Sequence, residues 1–116
     1  VDSTVTSHKK LVRDRIPEII ERSGKRPVVR VLGEEEYRQA LRAKLVEEAN
    51  EAAAAEEDAL LSELADLAEV LDAALGAFGI TPIELLARRS QRNAERGAFA
   101  KQVFLEQVEE WGEHSK

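Results

Sequence analysis

From Glu34 to about Ala55, Tyr37, Leu41, Leu45 and Ala52 recur at helical spacing, and Glu48 lies on the same stripe. From about Asp58 to Phe78, the positions Leu60, Leu64, Leu67, Leu71 and Phe78 repeat that pattern, and Gly79 supplies a stop. The pattern predicts two long helices. No glycine or proline stands between Ala52 and Asp58, so local chemistry would allow one unbroken helix over 34–78. At 1.5 Å per residue such a helix would be about 67 Å long, too long for a domain of this size, so a turn is expected there. Glu56, Glu57 and Asp58 suit the first turn of the second helix, because carboxylates favour the positive end of the helix dipole.

Shorter patterns flank this pair. Asp14 can cap a helix over about 15–23, with Pro17 in its first turn, Ile16, Ile19 and Ile20 on one face, and Gly24 at its end. Thr81-Pro82-Ile83-Glu84 reads as a capping box with proline at the first helical position, opening a helix to about Arg96. The β-branched run PVVRVL, Pro27–Leu32, suits a strand. After Gly97, the run FAKQVFLEQVEEW suits a second strand with Val103 and Leu105 on one face, with a helix as its rival; two such strands would pair. The expected fold class is therefore all-α: a helical bundle with two short accessory strands, about 27–32 and 100–109. It would form one domain over 10–116, behind a polar, mobile tail over 1–9.

Composition agrees: 43% hydrophobic but only 4% aromatic residues favour helices packed by aliphatic stripes. There is no cysteine, which removes disulfides and thiolate metal sites and fits a reducing compartment. No early segment has the apolar run of a signal peptide or membrane span, so a soluble, cytoplasmic protein is expected. A net charge of −6 opposes binding to nucleic acid polymers or anionic membranes. Any phosphate bound here must meet a local basic patch or a cation.

Both are present. KLVEEANE holds Glu48 and Glu51 three residues apart, and SELADLAEV holds Glu63 and Asp66 at the same spacing. On a helix, such residues share a face. Two helices packed antiparallel would converge four carboxylates, and an all-oxygen set favours Mg²⁺, with Mn²⁺ as a substitute, over Zn²⁺. Spacing alone is weak: with 23 acidic residues in 116, chance gives about four or five such pairs. Placement is the better sign, since a carboxylate on a core-facing stripe is costly unless paired or metal-bound. A solvated acidic face remains the open alternative. On the basic side, Arg88, Arg89, Arg92 and Arg96 follow the capping box, with Arg89, Arg92 and Arg96 on one side and Asn93 beside them. Guanidinium forks bind phosphate oxygens well, although surface arginines near a helix C-terminus are also ordinary. Lys10, Arg13 and Arg15 form a second basic group. His8 and His114 lie in the tails and no Glu-x-x-His motif exists, which argues against a ferritin-like di-iron site. No Ser/His/Asp or Cys/His arrangement and no Gly-rich phosphate loop is present, and Tyr37 and Trp111 read as packing residues.

KLVEEANE followed by ELADLAEV resembles the ExxE…ExxD signature of the MazG-like, all-α nucleoside triphosphate pyrophosphatases, a superfamily that includes phosphoribosyl-ATP pyrophosphatase. KLVRDRIPEII and RNAERGAF resemble its short, single-domain branch of house-cleaning or phosphoribosyl-ATP pyrophosphatase-like proteins. The resemblance implies a MazG-like bundle, Mg²⁺ held by Glu48, Glu51, Glu63 and Asp66, and hydrolysis of a nucleoside triphosphate to monophosphate and pyrophosphate. Glu47 matches an additional acidic neighbour, and Glu47 or Glu51 would take the proton of the attacking water. Lys10, Arg13, Arg89, Arg92, Arg96 and Asn93 would bind the phosphates. Only eleven residues separate Glu51 from Glu63, a short gap for this signature. Phosphoribosyl-ATP hydrolysis in histidine biosynthesis is the alternative substrate reading, and a non-catalytic helical interaction module is the alternative from another class. Aliphatic stripes in so small a chain leave apolar surface uncovered, so a homodimer or higher homo-oligomer is expected.

Overall fold

The computed structural model describes residues 4–112, and among them the chain is all-α. Four helices occur in the order α1 (Ile16–Arg22), α2 (Glu34–Ala54), α3 (Glu57–Ala77) and α4 (Pro82–Arg96). The chain divides into two compact units, Val1–Pro82 and Ile83–Lys116. Val1–Ser3 of the expected tail and His114 lie outside the described residues.

In the first unit the expected turn between the long helices falls at Ala55 and Glu56, whose extended backbone (ψ 144° and 157°) breaks the helix without glycine or proline. Three glutamates open α2, and Glu57 and Asp58 open α3, both at the positive end of the dipole. Each long helix has 21 residues, about 30 Å at the standard rise. The two pack along one another as an antiparallel hairpin. At its far end, Arg38 Nε donates to the Ala77 carbonyl at 2.8 Å, satisfying an orphan acceptor of α3. The guanidinium groups of Arg38 and Arg42 lie 5.8 and 4.9 Å from the Phe78 ring centre, within cation–π range. Gly79, at φ +68°, lets Ile80 N donate to Leu75 O at 2.8 Å, which ends α3 where the sequence placed its stop. The apolar core is narrow: its buried residues are Leu41 and Ala52 from α2 and Ala74 and Leu75 from α3.

α1 is shorter than its pattern. Arg15, not Asp14, occupies the N-cap position, and no side chain caps the helix. Arg15 instead turns to Glu18, with Nε and Nη2 at 3.1 and 3.0 Å from Oε1. Gly24, at φ +88°, closes the helix as expected, with Lys25 N donating to Ile20 O.

The two accessory strands do not form among the described residues. The run 27–32 has no regular structure and is unpaired, with Val28, Val29 and Val31 exposed, and 103–112 likewise has no regular structure. A strand needs a partner's backbone to satisfy its ladder, and β-propensity alone cannot supply one. In the second unit, α4 begins at Pro82, as expected, and Gly97 at φ +78° donates its N–H to Asn93 O at 2.8 Å. No residue of α4 is buried. No single described helix is long and apolar enough to cross a membrane.

Candidate metal centre

Glu48 lies on α2 two helical turns beyond Leu41, so the face that supplies the core also supplies a carboxylate. It is only 7% exposed. Across the hairpin, α3 presents the half-buried Glu63 and Asp66. One oxygen from each of Glu48, Glu63 and Asp66 lies within 4.8 Å of the others. Burial and then the charge of Glu51 raise the Glu48 pKa, against the opposing charge of Lys44. Glu48 Oε2 and Glu63 Oε2 are buried and have no hydrogen-bond partner. Buried carboxylate oxygens normally find one, so a pair left open beside a third carboxylate fits a hard divalent cation ligated by oxygen.

Of the four residues expected to ligate, three therefore come together. Glu51 is exposed and stands outside the group, although it is close enough to act on Glu48. The tight turn at Ala55 and Glu56, within the eleven residues between Glu51 and Glu63, brings Glu48 opposite Glu63 and Asp66.

Cations ring this cluster. Arg13 Nη2 donates to Asp66 Oδ1 at 2.7 Å, and Lys10 Nζ donates to Glu47 Oε1 at 3.2 Å. Lys44 is the residue that the spacing analysis missed. Its Nζ sits 2.7 Å from Glu47 Oε2 and 3.5 Å from Glu48 Oε1, with the side chain 14% exposed. Burial alone would lower its pKa, but hydrogen bonds and charges from Glu47 and Glu48 outweigh that and raise it. The signal was its position: Lys44 shares the stripe of Leu41 and Leu45, and a lysine there needs an acidic partner. Glu47 responds in the opposite sense, its pKa lowered by the hydrogen bond from Lys44, against burial and with help from Lys10. Beside Glu47 a cavity of about 260 Å³ opens, with Lys9, Lys10 and Lys44 as its cationic lining and Leu11, Ala40 and Ala43 as its apolar one.

In the second unit, Arg88, Arg89, Arg92, Asn93 and Arg96 are all exposed on α4. Arg88 and Arg92 share a hollow of about 370 Å³ with Gln91 and Glu95. Gln91 Nε2 donates to Glu95 Oε1 at 3.2 Å. Arg15, expected in the basic group near α1, is occupied by Glu18.

No family model matches the chain. It is 59% identical over 46 residues to an uncharacterized protein of Mycolicibacterium smegmatis, an alignment covering 40% of this chain and 47% of that protein. The chain thus spans about half the length of the curated relative it matches. No solved structure matches it.

Proposed function

We propose that this chain is a Mg²⁺-dependent nucleoside triphosphate pyrophosphatase, releasing pyrophosphate and a nucleoside monophosphate. One observation carries the reading: Glu48, buried on a core-facing stripe, leaves an oxygen unpartnered beside Glu63 and Asp66. A solvated acidic face would not bury it. Attack at the α-phosphorus, rather than the γ-phosphorus, rests on the resemblance to MazG-like pyrophosphatases.

Glu48, Glu63 and Asp66 would hold the cation, with Glu51 joining from the next turn. The chemistry that bound Mg²⁺ supplies is neutralisation of phosphate charge and a lowered pKa for a coordinated water. Glu47, kept ionised by two lysines below the usual carboxylate range, is the weaker proton acceptor, which favours Glu51 as general base. Lys10 and Lys44, at the cavity beside Glu47, offer ammonium donors to a polyphosphate. The α4 arginines enter through the chemistry of the guanidinium fork alone, and Arg92→Ala tests them by lowering turnover without changing metal affinity.

Association into a homo-oligomer belongs to the same proposal. Leu61 is 81% and Val46 61% exposed on the two hairpin helices, apolar surface that a second copy would cover. The same surface favours the rival reading of a non-catalytic interaction module. A panel of nucleoside triphosphates and phosphoribosyl-ATP with Mg²⁺, followed by phosphorus NMR in ¹⁸O-labelled water, separates them. Label in the monophosphate supports the proposal. Turnover of phosphoribosyl-ATP alone narrows the substrate, label in orthophosphate refutes the α-attack, and no turnover favours the module.

A further inference from the structure

The segment before α1 reaches both long helices at once. Lys10 pairs with Glu47 on α2, and Arg13 pairs with Asp66 on α3. Asp66 is also one of the three carboxylates whose oxygens converge within 4.8 Å. The guanidinium therefore holds one of the two oxygens of a carboxylate in the group that would ligate a cation. Two other oxygens of that group, on Glu48 and Glu63, have no donor at all. Three carboxylates so close repel one another, and positive charge from this chain offsets part of that repulsion.

We propose that Arg13 is an internal stand-in for the divalent cation: it holds Asp66 in the metal-free chain and must release it when the metal binds. This rests on Glu48, Glu63 and Asp66 being the metal centre, and concerns its regulation. A guanidinium donates hydrogen bonds and cannot be deprotonated at working pH, so it offsets the Asp66 charge whenever no metal does. It cannot sit inside a ring of oxygens ligating Mg²⁺ at about 2.1 Å, because a planar fork is far larger than the ion. Metal and guanidinium therefore compete for Asp66 wherever the ion takes Oδ1, and their like charges oppose one another even where it takes the other oxygen. The pair is weak enough to exchange, since both side chains are about half exposed (58% for Arg13, 41% for Asp66). Once released, Arg13 is free for a phosphate oxygen, so loading the metal would also arm the anion-binding side of the site.

The test is Mn²⁺ binding to the whole chain by calorimetry, for the unsubstituted protein, Arg13→Gln, Arg13→Lys and Glu48→Gln. Removing an exposed competing pair should tighten Mn²⁺ binding about two- to fivefold in Arg13→Gln. Arg13→Lys, which keeps the charge, should return most of the way to the unsubstituted affinity. In parallel, the Arg13 Nε–Hε NMR signal should shift on Mg²⁺ titration, in step with occupancy. Saturable binding that Glu48→Gln abolishes but Arg13→Gln leaves unchanged overturns the stand-in and spares the metal centre. Absence of saturable binding in both the unsubstituted chain and Arg13→Gln overturns both. Binding that emerges only in Arg13→Gln supports the stand-in strongly.

Discussion

α2 and α4 make an instructive pair. On α4, polar and apolar side chains are sharply segregated around the helix, yet none of its residues is buried. On α2 they are hardly segregated at all, yet α2 supplies Leu41, Ala52 and Glu48 to the buried interior. The reason lies in what each inner face carries. α2 sets Lys44 and Glu48 among its aliphatic residues, which blurs its amphipathic pattern by the very groups that form the candidate site. Amphipathicity marks a helix with a face to hide, whereas charges interleaved with a core stripe mark one with something to hold.

The comparison breaks most decisively on activity. Glu48→Gln and Glu63→Gln should each reduce turnover to background, because each would remove a charged ligand of the proposed cation while keeping the side chain's shape. The same amide change at Glu95 on α4 should leave turnover within about twofold, as befits a surface substitution. Stability without metal should hold or rise in Glu48→Gln, since the substitution relieves a carboxylate that burial and Glu51 already disfavour. Normal turnover in either hairpin variant would remove the metal assignment.

Packing comes next. Leu41 is 2% exposed, so Leu41→Ala should cost about 2–5 kcal/mol in denaturant unfolding. Leu86 on α4 is 57% exposed, and Leu86→Ala should stay within about 0.5 kcal/mol. A comparable loss at Leu86, growing as the protein is diluted, would show that α4 is buried in an assembly and would narrow the contrast between the helices.

The same contrast explains what the sequence made legible. The two long helices and the stops at Gly24 and Gly79 follow from local chemistry and were readable, whereas their break was readable only from size, because one unbroken helix would be too long for the domain. The meeting of Glu48 with Glu63 and Asp66 was readable too, because a helix fixes which residues share a face. The strands over 27–32 and 100–109 failed because pairing is a non-local property, and Val28 or Val103 can prefer an extended backbone without finding a ladder. Asp14 failed as a cap because the helix opens one residue later than expected, at Ile16, which puts Arg15 at the N-cap. The pairing of Arg13 with Asp66 spans 53 positions and has no sequence signature. Lys44 could have been found, since a lysine inside an aliphatic stripe already asks for a carboxylate.

A smaller effect concerns pH in the absence of metal. The Glu48 pKa is raised on folding, so folding is opposed most where the group is ionised in both states. Stability should therefore increase as pH falls from neutrality through the raised folded value toward the ordinary glutamate value, about 4.3. Glu47 has the opposite sign: its lowered pKa contributes stability above the ordinary value, lost as pH falls further through the folded one. Thermal unfolding with chelator should thus show a mildly acidic optimum. Glu48→Gln should erase the rise on its upper side, and a rise that survives would assign it to another group.

The smallest effect tests the irregular segment before α2 against the hairpin. Arg30 donates to Glu36 with Nη1 and Nη2 at 2.9 and 2.5 Å, joining the unpaired run to the first turn of α2. The geometry is the bidentate fork that gives strong pairs in dry surroundings. Here both side chains are more than half exposed, and water and salt screen what the fork gains. The hydrogen bond and charge from Glu36 raise the Arg30 pKa, and the same hydrogen bond lowers that of Glu36, but neither shift marks a buried interaction. Arg30→Gln should therefore leave the midpoint of thermal unfolding unchanged within error at physiological salt, with a drop visible only at low ionic strength. Lys44→Gln, which leaves Glu47 to Lys10 alone and removes the ammonium beside the buried Glu48, should lower the midpoint under both conditions. If Arg30→Gln proved as costly as Lys44→Gln, the run over 27–32 would have to be packed in solution, as by a partner strand from a second copy.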